Sequence, residues 1–334
     1  MRLVVSACLW LMAGAVVGLV VMAVVGGAWL RQEARQPGPL TDARTVVIAH
    51  GVGLVRISHQ LEEAGVIRWW PVLVSSGWLM RVLGAGDVRA GEYAFVPGAS
   101  PLEVFDQLRR GRTVVHRLTV AEGLSVAQVV AMVRAEPALS GEVADIPEEG
   151  SLLPDTYHFS LGDSRSALVQ RMRGAMSGAL AELWPGRASG LPLETPAQAV
   201  VLASIVEKET GQALERPRIA GVFYNRLAAG MRLQSDPTVI YALTQGKAAL
   251  GRPLSQADLH VESPFNTYQV SGLPPGAIGN PGRAALQAVL APERHDFLYF
   301  VADGNGGHAF ARTLADHNHN VAHWRQHGHT VGGP

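Results

Sequence analysis

Residues Ala199–Asp236 read AVVLASIVEKETGQALERPRIAGVFYNRLAAGMRLQSD, and the rest of the chain is organised around them. The stretch opens with apolar and small side chains, a pattern typical of a buried helix, and this pattern stops at Glu207. Gly211 is a residue type that commonly follows a helix end. A carboxylate in the last turn of a buried helix lies near the negative end of the helix dipole and away from water, and both effects raise its pKa. Glu207 and Glu209 are therefore candidates for a general acid, although they would also suit a solvated helix end.

Four further motifs extend or follow this stretch along the chain. They are FYNRLAAGMRLQSDPTVIYAL from residue 223, SPFNTY from 263, GLPPGAIGNPG from 272 and YFVADGNGGHAF from 299. Together with LASIVEKET, and in this order, they resemble the YceG-like endolytic murein transglycosylases of the bacterial inner membrane, the MltG family. The resemblance runs from about Ser151 to Trp324 and is weaker before it.

The resemblance implies a catalytic glutamate within the EKET segment. We assign that role to Glu209, because Glu209 and Thr210 mimic the Glu–Ser pair of lysozyme-like transglycosylases, and we keep Glu207 in reserve. Two residues apart on a helix, the two carboxylates cannot face the same way. Hydrolytic glycosidases usually need two carboxylates. The resemblance implies that one is enough here, since the muramic 6-hydroxyl of the substrate attacks and closes a 1,6-anhydro ring.

The resemblance also implies a groove that holds an extended glycan. We expect its lining to include Tyr224, Asn225, Gln234, Ser235, Asp236, Asn266 and Tyr268. Amide and hydroxyl groups would bind the N-acetyl and hydroxyl groups of the sugars, and aromatic rings would cover the sugar faces. Each of these side chains could instead serve hydrogen bonding within the core or a loop. Asp236 is the nearest candidate for a second carboxylate, and it could equally cap the helix that follows.

Composition argues against several classes of function. The chain has 28 basic and 28 acidic residues, so no positive excess points to nucleic acid. Cys8 is the only cysteine, which excludes disulfides within the chain and argues against a cysteine nucleophile or cysteine metal site. A zinc hydrolase remains an alternative because histidines crowd the C-terminal part: His308, His317, His319, His323, His327 and His329. No HExxH motif accompanies the i, i+4 pair His319 and His323, so we predict no metal and no cofactor.

The N-terminal residues predict a membrane anchor. Leu3–Leu30 contains no charged residue and no histidine, and a helix of this length exceeds the ~30 Å of hydrocarbon in a bilayer. A cleaved signal peptide has a shorter apolar core of about 7–15 residues. Arg2 precedes the segment while Arg31 and Arg35 follow it, a bias that argues weakly against export of the body. The resemblance implies a single-pass protein of the inner membrane with its catalytic domain in the periplasm.

We predict an α+β fold with a single N-terminal transmembrane helix. The parts are an anchor at 1–30, a tether at 31–44, a small LysM-like α+β module at 45–120 and a larger mixed α/β catalytic domain at 121–334. The module reads as strand, helix, helix, strand, and its likeness to LysM comes from the resemblance, which would imply affinity for glycan. A spacer without a binding role is the alternative reading of the module.

The resemblance implies a peptidoglycan lyase that cleaves β-1,4 bonds between N-acetylmuramic acid and N-acetylglucosamine inside nascent strands. Such a lytic transglycosylase would leave 1,6-anhydromuramic ends and so terminate glycan elongation. Its partners would be the glycan strands and membrane-bound cell-wall synthases. A non-catalytic, glycan-binding scaffold for these synthases is the alternative from a different class of function.

Overall fold

The structure is a computed structural model that describes residues 2–84, 86–304 and 306–327; of residues 2–9, 11 and 327 it describes the backbone only. The chain divides into two compact units, Met1–His116 and Arg117–Pro334. Each unit has its own buried apolar side chains, so each is described by itself. The functional division into a LysM-like module and a catalytic domain stays a prediction.

The first unit consists of one long apolar helix and a small α+β body. Its elements are α1 (Arg2–Glu33), β1 (Arg44–Ile48), α2 (Leu54–Glu63), α3 (Trp70–Val82), β2 (Gly91–Phe95) and α4 (Pro101–Arg110). β1 pairs antiparallel with β2, with Val46 opposite Tyr93. Alternate residues of the two strands, among them Ile48 and Phe95, are buried, and α2, α3 and α4 supply the rest of that core.

α1 is the one helix in the described part of the chain that is long and apolar enough to cross a membrane. Its segment Met12–Glu33 has 22 residues, and none of the apolar window is buried inside the protein. Length and composition alone fit a membrane anchor and are also met by an N-terminal signal sequence.

The remaining elements make a mostly helical unit with two small sheets. They are β3 (His116–Thr119), α5 (Val126–Ala135), β4 (Thr156–Phe159), α6 (Arg165–Leu183), α7 (Pro196–Glu209), α8 (Arg216–Ala228), α9 (Asp236–Thr244), α10 (Arg283–Leu290), β5 (Tyr299–Ala302), β6 (His308–Ala311) and α11 (Leu314–His327). Short 3-10 turns lie at Trp184–Gly186 and Asp258–His260. β3 is joined to β4, and β5 pairs antiparallel with β6.

α7 is the central helix of this unit. Thr195 caps its start: the Thr195 hydroxyl accepts a hydrogen bond from the N–H of Gln198, and Oε1 of Gln198 accepts one from the N–H of Thr195. Pro196 fits the first turn. Nearly every side chain from Ala199 to Glu207 is buried, because α8 and α10 pack against α7. Burial of this apolar surface stabilises the helix and fixes the position of its last turn.

The mixed α+β class with one N-terminal apolar helix is confirmed, and the second unit is mostly helical with small two-stranded sheets. The described strands form only two-stranded sheets, and helices make up most of the unit. Sequence patterning does not predict β4 or β6, because the segments TYHF and HAFA are too short for alternation to be recognised. Pairing with a partner strand, rather than an intrinsic pattern, makes them strands.

Candidate active site

Glu207 and Glu209 leave the last turn of α7 in different directions, as their spacing requires. Oε1 of Glu207 accepts a hydrogen bond of 2.6 Å from Nη2 of Arg216, and Oε2 accepts one of 2.8 Å from the N–H of Gly282. The same Arg216 nitrogen donates to Oε2 of Glu122 at 3.1 Å. The side chain of Glu207 is only 3% exposed, and both of its oxygens are engaged inside the protein.

Burial raises the pKa of Glu207, while the N–H of Gly282 and the guanidinium of Arg216 act in the opposite direction. A buried carboxylate that is paired and hydrogen-bonded in this way fixes the relative positions of the helices that carry its partners. Here it joins the end of α7 to the start of α8 and to Gly282, which precedes α10. Glu207 therefore has a structural position, and its oxygens are not presented to a ligand.

Glu209 faces a different set of groups. Its Oε1 accepts a hydrogen bond from the hydroxyl of Ser235, and Oε2 accepts none from the residues that the structure describes. Burial raises the pKa of Glu209 to about 7. The Ser235 hydrogen bond lowers the pKa of Glu209, and the negative charge of Asp236 raises it. The charges of His308 and Arg226 also lower this pKa. Glu209 as a residue is nevertheless partly exposed to solvent.

Ser235 is held by a small buried network of hydroxyl groups. Its N–H donates to Oγ1 of Thr267 at 3.0 Å, and its carbonyl accepts from Oγ1 of Thr238 at 2.6 Å. The two threonine hydroxyls are 2.8 Å apart. Because every member of the network is at most 1% exposed, the hydroxyl that contacts Glu209 has a fixed position.

Gln234 and Asp236 lie on either side of Ser235, and both are exposed. Gln234 has a φ of +52°, a left-handed conformation that is uncommon for a residue with a side chain. Oδ1 of Asp236 accepts a hydrogen bond of 2.6 Å from the hydroxyl of Tyr268. Burial and the neighbouring Asp236 raise the pKa of the Tyr268 hydroxyl. The structure thus places Ser235 in contact with Glu209. Gln234 and Asp236 are the chain neighbours of Ser235, and Tyr268 is bound to Asp236.

Three other predicted groove residues are not brought to this place. The hydroxyl of Tyr224 donates to the carbonyl of Val289 at 2.8 Å, within the contact between α8 and α10. The amide of Asn225 donates to the carbonyls of His295 and Phe297, each at 2.9 Å. The Tyr224 hydroxyl and the Asn225 amide nitrogen therefore bond within the unit, and the expectation that these two residues line a groove stays a prediction.

Asn266 is fully buried and organises its own loop. Its Nδ2 donates to the carbonyls of Leu259 and Val261, and its Oδ1 accepts from the N–H of Tyr268. Both N–H groups of the amide and one acceptor site of its oxygen are used in these bonds, so Asn266 fixes the position of Tyr268. The expectation that Asn266 itself lines a groove stays a prediction.

Sequence reasoning missed Arg226, a cation that acts on the pKa of Glu209. Nη1 of Arg226 donates to the carbonyl of Leu233 at 2.7 Å and its Nε to that of Leu298 at 2.7 Å, and its guanidinium lies 5.3 Å from the ring centre of Tyr299. Arg226 thus connects the loop before Ser235 to the strand β5. A lone arginine in an amphipathic helix carries no signal of such a role, because its partners are backbone carbonyls distant in sequence.

His308, which the sequence suggests only as one histidine of a possible zinc site, has a different role in the structure. Its Nδ1 lies 2.7 Å from Oε2 of Glu215 and its N–H donates to Oε1 of the same carboxylate at 2.9 Å. Gln212 also donates to the carbonyl of Gly306 at 2.8 Å. The segment that follows α7 is therefore hydrogen-bonded to the turn between β5 and β6. The GGHAF motif is the sequence feature that points to a role for this turn.

Among the residues that the structure describes, no group of three or more His, Cys, Asp or Glu side chains could hold a metal ion. The ring of His317 stacks on Tyr299, with centres 5.3 Å apart, while His319 and His323 are exposed. His329 and the side chain of His327 lie outside the described residues. The described histidines of this group thus lie apart, one in β6 and the others along α11.

Comparison with known proteins assigns the chain to a family. The model of the YceG-like family matches residues 46–323, and the chain belongs to that family. A protein of Bacillus subtilis (strain 168) named endolytic murein transglycosylase is 30% identical, and the match covers 88% of this chain and 89% of the relative. An endolytic murein transglycosylase of Streptococcus pneumoniae serotype 2 is also 30% identical over 83% of this chain. The present chain spans 58% of that longer relative.

A solved structure shows the same architecture. The crystal structure of a yceG-like protein from Listeria monocytogenes is similar with a TM-score of 0.54 and 30% identity. The similarity covers 83% of this chain and 98% of the Listeria chain.

Proposed function

We propose that this protein is an endolytic peptidoglycan lytic transglycosylase that uses Glu209 as its only acid and base. The proposal takes the activity from the names of the relatives, which are endolytic murein transglycosylases. The observation that carries the assignment is the state of Glu209, a carboxyl with a pKa near 7 and one oxygen unengaged among the described residues. A general acid needs a pKa near the operating pH, and Glu209 meets this requirement.

The chemistry proceeds with one carboxyl. Protonated Glu209 donates its proton to the glycosidic oxygen between N-acetylmuramic acid and N-acetylglucosamine as the C1–O bond breaks. The 6-hydroxyl of the muramic residue forms the new bond to C1, and its proton passes to the Glu209 carboxylate. The products are a 1,6-anhydromuramic end and a free N-acetylglucosamine end, and the enzyme returns to its starting protonation state.

The residues around Glu209 support this cycle in distinct ways. The Ser235 hydroxyl donates a hydrogen bond to Oε1 of Glu209, so the proton that is transferred to the substrate is carried by Oε2. Asp236 is bound to Tyr268, and its negative charge helps to keep Glu209 protonated. The exposed side chain of Gln234 stands beside this pair and suits hydrogen bonding to an N-acetyl or hydroxyl group of the sugar chain.

The wider biological role is part of the same proposal. α1 anchors the protein in the inner membrane with the second unit in the periplasm, and the LysM-like module at 45–120 adds affinity for glycan. Near the membrane the enzyme would meet nascent strands and the synthases that make them, so that its cut terminates elongation. The apolar length of α1 supports the membrane anchor in this proposal.

The test is digestion of peptidoglycan by the purified full chain, followed by mass spectrometry of the fragments. We expect 1,6-anhydromuramic ends within strands, and we expect Glu209→Gln to abolish them while the circular dichroism spectrum is retained. Glu207→Gln serves as the matched control on the same helix turn: it should lower thermal stability, yet a folded sample should still produce anhydro ends. Loss of anhydro ends in a folded Glu207→Gln protein, with Glu209→Gln active, would reverse the assignment.

A non-catalytic scaffold is the second candidate, since the LysM-like module and the residues around Glu209 could bind glycan without cutting it. It predicts strand binding that is unchanged by Glu209→Gln and no anhydro products from any variant. A zinc-dependent murein hydrolase is the third, and the described residues offer it no cluster of ligands. Metal analysis of the purified protein, together with digestion in the presence of a chelator, separates it from the proposed reaction.

A further inference from the structure

The end of α3 presents four large apolar side chains to solvent, which we call the α3 patch: Trp78, Leu79, Val82 and Leu83. Their exposed fractions are 69%, 58%, 65% and 73%. At positions i, i+1, i+4 and i+5 they form one continuous face. Single exposed apolar residues are normal on a protein surface, but a contiguous group of this size indicates an interaction site.

The opposite face of α3 explains why the patch cannot simply turn inwards. Val72, Leu73 and Gly77 are buried, and a side chain at Gly77 would collide with Leu54 and Phe105. α3 is therefore locked against α2 and α4 by its inner face. The patch is a fixed outer surface of the first unit.

The patch is continuous with the end of the apolar helix α1. A groove of about 790 Å³ runs between the two helices, with Leu30 and Ala34 on one side and Trp78, Leu79 and Leu83 on the other. Next to it the rings of Trp29 and Trp69 meet edge to face, with centres 6.3 Å apart. The exposed apolar surface thus begins where α1 would leave the hydrocarbon of a membrane.

The polar residues around the patch fit the surface of a bilayer. Arg31 and Arg35 line the same groove. Arg81 lies on α3 between the patch residues and is paired with Asp87. Tryptophan is enriched at the level of lipid headgroups, and arginine there attracts anionic lipid. An apolar face with Trp and Leu, bordered by arginines, is the composition of helices that lie in the interface of a membrane.

We propose that the α3 patch lies in the interfacial layer of the same bilayer that α1 crosses, as a second membrane contact of the first unit. The proposal rests on the anchoring role given to α1 above. A single helix leaves the body free to tilt and rotate, whereas two contacts hold the first unit at one height and in one orientation. The occupant of the patch is therefore lipid and not a protein partner.

Site-directed spin labelling of the full chain tests this contact. In a Cys8→Ser background, Leu79→Cys and Leu83→Cys would each carry a nitroxide, and Val115→Cys would be the control, since Val115 is 60% exposed and is not part of the patch. The protein is reconstituted into vesicles of phosphatidylcholine and phosphatidylglycerol. All three positions are exposed, so none of the substitutions removes a core contact.

We expect several-fold slower collision with a water-soluble nickel complex at positions 79 and 83 than at position 115, and faster collision with oxygen, which concentrates in lipid. Equal nickel collision at all three positions, in protein that floats with the vesicles, would overturn the lipid contact and leave the anchor intact. Protein that does not float would overturn both. Dipolar broadening between labels at position 79 would show a second copy of the chain on the patch and also overturn the proposal.

Discussion

The hydroxyl of Ser235 donates a hydrogen bond to Oε1 of Glu209, and the two residues are 26 positions apart in the sequence. The bond joins the last turn of α7 to the residue that precedes α9. Ser235 itself is fixed by Thr238 and Thr267, so the carboxyl has one oriented oxygen and one that is open. This relationship separates Glu209 from Glu207, whose two oxygens are both engaged inside the protein.

Ser235→Ala should shift the pH dependence of the reaction. The Ser235 hydrogen bond lowers the pKa of Glu209, so its removal raises that pKa above about 7. An acid must be protonated to act, and the alkaline decline of kcat/KM should therefore move to higher pH in the variant. The measurement is the rate of anhydromuramic end formation from pH 5 to 9, the range being about two pH units on either side of the pKa.

Ser204→Ala is the matched control for that experiment. Ser204 is also a buried serine of α7, but it donates to the carbonyl of Val201 and accepts from the N–H of Ile278. It should leave the alkaline decline where it is in the unsubstituted protein. A decline that does not move in Ser235→Ala, or that moves equally in both variants, would contradict control of the Glu209 pKa by Ser235.

Glu209→Gln should stabilise the protein more at pH 8 than at pH 5. The folded pKa of about 7 lies above the ordinary value of 4.5, so the folded state holds the proton more tightly and loses stability as pH rises through 7. Glutamine cannot ionise, so the variant does not lose stability in this way as the pH rises. At ~1.36 kcal/mol per pH unit of difference in proton binding, the advantage should grow by about 2 kcal/mol between these two pH values.

Thermal or urea unfolding of the full chain in detergent at both pH values measures this advantage. Glu182→Gln is the control, because Glu182 is 66% exposed in its ion pair with Arg283 and such surface pairs contribute little. A gain for Glu209→Gln that is the same at pH 5 and pH 8 would mean that Glu209 does not titrate between them.

The sequence predicts the helices of this fold better than the contacts that their side chains make. α7 is recognisable because its apolar run and its boundaries are local, and the divergence of Glu207 and Glu209 follows from helix geometry alone. The role of Tyr224 is not predictable in this way, since its acceptor, the carbonyl of Val289, is 65 positions away. A polar residue in a motif can face the substrate or the interior, and only packing decides which.

The same limit applies to the groups that tune Glu209. Ser235 belongs to a motif next to Asp236, so its presence near a catalytic residue can be expected from the resemblance. Arg226 and His308 act on the pKa of Glu209 through space, and their positions are set by bonds to Leu298 and Glu215 across 72 and 93 residues. No local pattern encodes such distances, and the charge environment of the carboxyl therefore emerges only with the tertiary structure.

Arg216→Met should destabilise the protein through Glu207. The substitution leaves a carboxylate that is 3% exposed without its cation, and breaking a buried pair in this way costs about 3–5 kcal/mol. Adding Glu207→Gln should recover part of that loss, because the neutral amide can be buried without a cation. The free energies of unfolding of both single variants and the double variant form the cycle that measures this coupling.

Arg218→Met is the control for the loss of an arginine in the same turn of α8. Arg218 pairs with Glu293, and both side chains are about 40% exposed, so its removal should cost ~1 kcal/mol or less. Strict additivity of the Arg216 and Glu207 substitutions would show that the two groups do not support each other.

Glu215→Ala should loosen the turn between β5 and β6. The Glu215 carboxylate accepts the His308 N–H at 2.9 Å and lies 2.7 Å from the His308 ring, so its removal frees both groups. We expect faster hydrogen–deuterium exchange in peptides that contain His308, and a lower rate of anhydro end formation because His308 no longer has a fixed place near Glu209. Glu293→Ala, which removes an exposed acceptor of Arg218, should leave exchange at His308 unchanged. Since the backbone N–H of His308 reports the Glu215 contact directly, unaltered exchange there in Glu215→Ala would remove the reason to connect this turn with catalysis, whatever the activity of the variant.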